Sequence, residues 1–163
     1  MTSSTKRILK VWLPSVIWLA IIMAESTNLG SSEHTGQILY PIFHYLFGVS
    51  PQRFEVLHVI LRKTGHFVGY ATLSVLLFRS WRGTFPRLST RWCRQWAMLA
   101  FVCTALVASL DEFHQTFLPS RTGMFRDVVL DSSAALFAQI LLFVILQRHN
   151  TKVEEVRSSQ STL

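Results

Sequence analysis

Asp111 and Glu112 close a long apolar run, and His114, Gln115, Arg121, Arg126 and Asp127 follow within a few residues. Ionisable side chains at the edge of apolar, helix-length stretches are costly and usually carry a function. Upstream, Lys63, His66 and Tyr70 are spaced i, i+3 and i+7, so they share one helix face. Asp111 and Gln115 stand at i and i+4. Glu112 is turned by about 100° from Asp111, so only one of the two carboxylates is expected to point deeply into a bundle. Asp127 and Asp131 repeat the i, i+4 spacing. Asp127 gains from the positive end of its helix, whereas Asp131, a turn deeper, needs Lys63, His66 or an arginine as partner. His66 with Asp111 or Glu112 could work as a general acid–base pair, with Asp127 as a further carboxylate. Lys63, Arg121 and Arg126 could hold an anion by charge-assisted hydrogen bonds, helped by Tyr70 and Gln115.

Blander readings stand beside these. A lone His66 could be a hydrogen-bonded histidine inside a bundle, and the acids of one helix end could simply be solvated. A zinc-type site from His66, His114 and two carboxylates has suitable ligand types but no tight spacing, so the metal signal is weak and none is assigned. Lys63-Thr-Gly-His66 and the later Ser120-Arg121 superficially resemble the lipid phosphate phosphatase signature. Asp127 occupies the place of its nucleophilic histidine, so covalent phosphohistidine chemistry is not supported.

The elements that must position these residues are membrane helices. The chain has 163 residues, 50% hydrophobic and 15% charged, which is too apolar for a typical soluble domain and short enough for one domain, placed at 1–150. The net charge of +7 does not point to nucleic acid, because the Lys and Arg lie between apolar segments and not along one soluble face. Cys93 and Cys103 read as free thiols.

Four apolar stretches stand out: Ile8 to Ala24, Phe67 to Phe78, Trp96 to Leu110 and Val128 to Leu146. The middle two are short against the roughly 20 residues that cross a ~30 Å hydrocarbon core. Extended to span, the four helices run over about 8–24, 63–79, 95–115 and 127–147. The first is read as a retained anchor and not a cleaved signal. Lys6, Arg7 and Lys10 precede it, and Arg79, Arg82, Arg87, Arg91 and Arg94 crowd the connection between the second and third. The positive-inside rule then places both termini in the cytoplasm. His66, Asp111, Glu112, Arg121, Arg126, Asp127 and Asp131 all fall at one outer level of the membrane. In the first outer connection, 37–47 and 54–61 read as short amphipathic helices, the second capped by Ser50 with Pro51 at its first position. Gly65 and Gly69 have the small-xxx-small spacing of close helix packing. Residues 151–163 form a polar tail.

Arg62-Lys63-Thr-Gly-His66-Phe-Val-Gly-Tyr70, Asp111-Glu112-Phe-His-Gln115 running on to Pro119-Ser-Arg121, and Arg126-Asp127 with Asp131 resemble the VanZ-like family of small bacterial membrane proteins. That family usually has Asn where Asp131 stands. The family is named for a protein implicated in resistance to the glycopeptide antibiotic teicoplanin, so the resemblance implies an envelope role without fixing a reaction. The expectation is an all-α, four-helix protein of the bacterial inner membrane with an outward polar pocket. The pocket would bind or process an anionic lipid phosphate, either a phospholipid or a polyprenyl phosphate. The alternative is a non-enzymatic membrane protein whose polar cluster is a structural charge network or a partner-binding site. Oligomeric state is not readable.

Overall fold

Continuous apolar runs with few helix breakers give an all-helical chain. The computed structural model describes residues 3–85, 92–119, 121 and 123–160, so Arg87, Arg91 and Ser120 lie outside the described residues. Among the described residues five helices follow one another: α1 Ser3–Glu25, α2 Ser32–Phe47, α3 Pro51–Thr84, α4 Arg94–Gln115 and α5 Phe125–Gln160, with a 3-10 turn at Asn28–Gly30. Three of them contain stretches long and apolar enough to cross a membrane: Thr5–Glu25, Arg94–Gln115 and Phe125–Leu146. Their outward residues, such as Ile17, Leu106 and Phe137, are large, apolar and more than half exposed, which suits a hydrocarbon solvent.

The helix α3 is not among the three, because Arg62 and Lys63 on one side and Arg79 on the other leave too short an apolar run between them. It is nevertheless the centre of the molecule, packing against α1, α4 and α5, while α4 and α5 also pack on each other. Its 34 residues make a rod of about 50 Å at 1.5 Å per residue. The separate amphipathic helix expected at 54–61 is therefore the first part of α3. No Gly or Pro interrupts residues 52–64, so nothing ends the helix before Lys63. Ser50 and Pro51 do occupy its N-cap and first position. The other amphipathic helix, α2, begins at Ser32, five residues before the expected start, because Ser31 caps it by accepting the His34 N–H at 3.2 Å. Pro41 thus lies within α2. Likewise α5 runs on through the expected tail to Gln160, a segment without Gly or Pro.

The interior is built from small residues. Ala100, Ala108, Ala134 and Ala135 are fully buried, which lets α3, α4 and α5 approach closely. Polar side chains tie the helices in the same region. Gln139 donates to Ser74 Oγ at 2.7 Å, Ser15 and Ser80 share a 2.8 Å hydrogen bond, and Trp18 donates to the Gly69 carbonyl at 2.9 Å. The expected close packing at Gly65 and Gly69 is absent: a methyl added at either would meet nothing. The glycines under close approach are others. A side chain at Gly83 would strike Val11, and one at Gly123 would strike the Glu112 carbonyl and Thr116.

Candidate functional site

Three helix segments and one loop bring the chemistry-bearing residues to one end of the bundle. Tyr70, on the buried face of α3, donates from its hydroxyl to Asp111 Oδ2 at 2.8 Å. Gln115, one turn beyond Asp111 on α4, donates to the same oxygen at 3.1 Å. Both donors are almost fully covered and orient a carboxylate, and Gln115 also lines the smaller of the two cavities described below.

Asp111 and Glu112 are both buried, at 2% and 4% exposure. Asp111 is the one that points into the bundle, and Glu112 is buried by a different route. Gly123 and Met124 return over the end of α4, and the Met124 backbone N–H donates to Glu112 Oε2 at 2.8 Å. Asp111 therefore faces α3 while Glu112 is covered by its own return loop, a closure that needs Gly123 close to the Glu112 carbonyl.

On α5, Asp131 is fully buried, with Oδ2 at 3.5 Å from His66 Nδ1. Among the partners expected for it, His66 is the one found. Asp127 is instead committed to Lys63 through an ion pair of 2.5 Å at the half-exposed rim. Arg126 is exposed on the first turn of α5. It lines neither of the two cavities described below. His114 turns away from the carboxylates, its Nδ1 lying 3.4 Å from Ser26 Oγ at the end of α1.

Arg121 is buried and its guanidinium donates to the backbone carbonyls of Glu25 and Thr27. These are orphan acceptors at the negative end of α1, the natural place for a cation. Burial, reinforced by Arg62, pushes Arg121 below its ordinary value, and the neighbouring Asp111, Glu112 and Glu25 oppose that shift. Its Nε has no partner among the described residues.

Two cavities open beside this cluster. One, of about 500 Å³, has Ile21 and Ala24 of α1 as an apolar wall and Arg62, His66 and Arg121 as its basic side. The other, of about 280 Å³, is lined by Arg62, Lys63, His66, Arg121, Glu112 and Asp127, among others. Arg62 was not singled out as a binding residue from sequence, yet it faces both. Its spacing of four from His66 puts the two on one helix face and was the signal available. Arg62 makes no hydrogen bond or ion pair among the described residues.

Chemically, the site offers two cations and an imidazole facing an open cleft, with three buried carboxylates behind them. No curated protein and no solved structure matches the chain significantly. The family model described as VanZ/LLP1 matches residues 11–147, which takes in every helix that contributes to this site. By that match, over most of its length, the chain belongs to the VanZ/LLP1 family.

Proposed function

We propose that this protein binds an anionic lipid phosphate in a polar pocket opening to the outer face of the bacterial inner membrane. In this reading α3 crosses the bilayer from Lys63 onward as a fourth span, and both termini lie in the cytoplasm. What carries the proposal is the cleft shared by Arg62, His66 and Arg121 beneath an aliphatic wall from α1. A guanidinium without a carboxylate partner, next to apolar surface, matches an amphiphile with a charged head. The phosphate would sit between Arg62 and Arg121, with Lys63 at the rim, and the acyl or prenyl chain would lie along Ile21 and Ala24. Hydrolysis or transfer would use His66 with Glu112 as acid and base. A link to glycopeptide, teicoplanin-type, resistance belongs to the same reading and is tested by antibiotic sensitivity with and without the protein.

The competing reading, a structural charge network, draws on the Lys63–Asp127 pair and on the two hydrogen bonds that hold Asp111. Native mass spectrometry in mild detergent separates the two, with phosphatidic acid and a polyprenyl monophosphate as probes and phosphatidylcholine as comparison. Wild-type protein is expected to retain the anionic probes selectively. Arg62→Ala, which breaks no bond among the described residues, should weaken retention by about tenfold or more, the scale of one charge-assisted contact. Equal retention of phosphatidylcholine, or undiminished retention by a folded Arg62→Ala protein, would overturn the lipid reading.

A further inference from the structure

We propose that His66, Asp111 and Glu112 form a binding site for one divalent transition-metal ion of the Mn²⁺ or Zn²⁺ type. One imidazole nitrogen and one carboxylate oxygen from each acid lie within 4.8 Å of one another. Metal–ligand bonds of about 2.0–2.2 Å join atoms no more than about 4.4 Å apart, so an ion here would draw the three side chains slightly closer together. The mixture of one nitrogen and two oxygens suits a borderline cation better than Ca²⁺ or Mg²⁺, which favour all-oxygen shells.

An independent observation points into the same place. Both Tyr70 and Gln115 donate to Oδ2 of Asp111, while its Oδ1 is buried with no hydrogen-bond partner. Donors held on one oxygen of a ligating carboxylate leave the other for the ion, the arrangement expected behind a metal ligand. A lone buried carboxylate oxygen is otherwise expensive. Charge points the same way. Asp111, Glu112 and Asp131 are all at least nine-tenths buried around one imidazole, and Lys63 is already paired with Asp127 at the rim. Arg121 beside them is held by the carbonyls at the end of α1, so a dication would offset the acidic excess that remains around His66.

The site does not depend on what occupies the neighbouring cleft. His66 lines that cleft as well, so an ion there would lie at its wall, beside any anionic group it holds.

The test uses full-length protein stripped with EDTA in mild detergent and then supplied with Mn²⁺ or Zn²⁺, with Mg²⁺ as comparison. About one equivalent of Mn²⁺ or Zn²⁺ should survive desalting. Glu112→Gln and Asp111→Asn should each lower affinity by at least about tenfold, while the exposed Glu55→Gln should not. If the variants fail to fold, wild-type protein alone decides: spin-echo spectra of bound Mn²⁺ should show modulation from a coordinated ¹⁴N, which His66→Gln would remove where it folds. No stoichiometric ion, no nitrogen modulation, or unchanged affinity in folded variants would overturn the site. The lipid probes read separately: loss of metal binding with retained anionic lipid rejects the ion and keeps the cleft.

Discussion

Single residues in this cluster fall into those that face the cleft and those that hold others in place. Tyr70 is 1% exposed and gives its one proton to Asp111. Tyr70→Phe should therefore destabilise the fold by about 1–3 kcal/mol, the cost of stripping a donor from a buried carboxylate. Denaturant unfolding in detergent measures it, and a change below a few tenths would show that Asp111 is already neutralised otherwise. Arg121 differs from Arg62 in kind. Its guanidinium closes the end of α1 by gripping two carbonyls. Arg121→Lys keeps the charge but loses the forked geometry. Its expected outcome is a loss of stability of roughly 1–2 kcal/mol, visible as a lowered unfolding midpoint, whereas Arg62→Ala should leave that midpoint unchanged.

At the scale of elements, small residues decide where helices may touch, and spacing alone misplaces them. Gly65 and Gly69 look like a packing motif, yet both leave open space beside the cluster. Gly65→Ala should be tolerated, and gain up to about 1 kcal/mol from helix propensity. Gly123→Ala should cost about 1–3 kcal/mol, because the new methyl would run into the Glu112 carbonyl and Thr116 in the loop that covers Glu112. A thermal-shift comparison of the two variants checks both, and equal behaviour would contradict the packing described. The short helix α2 is held to the first part of α3 by Thr35 and His58 at 3.0 Å. Thr35 gives its proton to the Ser31 carbonyl, so His58 Nε2 must be the donor in that pair. Burial, with Arg62 adding to it, holds His58 below the ordinary imidazole value of 6.5. The fold thus favours neutral His58. Its contribution is complete above that value and is lost as pH falls through the lowered one. Amide exchange in α2 should quicken on acidification from about pH 7 to 5, and His58→Gln should abolish the dependence.

For the whole molecule, the open question is parity. Three helices are apolar enough to span by themselves, and α3 supports a crossing only as the packed centre of the bundle. A polar face can cross a bilayer when it is turned inward and satisfied by its neighbours. Tyr70 and Ser74 are nearly or fully covered in this way, by Asp111 of α4 and by Ala135 and Gln139 of α5. Four spans put both ends on one side, and three would separate them. A reporter active only in the cytoplasm, fused after Leu163, should be active, and the same reporter inserted near Gly48 should be silent. Opposite sides for residues 10 and 163 would exclude the four-span arrangement.

Much of this was legible without coordinates. Apolar length and the scarcity of breakers determine the all-helical class, and the i, i+3 and i+4 spacings place Lys63, His66 and Tyr70 on one face and pair Asp111 with Gln115. Periodicity speaks only of one helix at a time, however. It could not say that the return loop buries Glu112 beside Asp111, that Lys63 is spent on Asp127, or that Arg121 belongs to the end of α1. Nor could it separate Arg62, lining the cleft, from Arg126, exposed at its helix start. Those outcomes depend on which side chains from distant segments reach the same few ångströms, and the burial that makes each ion pair or orphan oxygen matter exists only once the helices have packed.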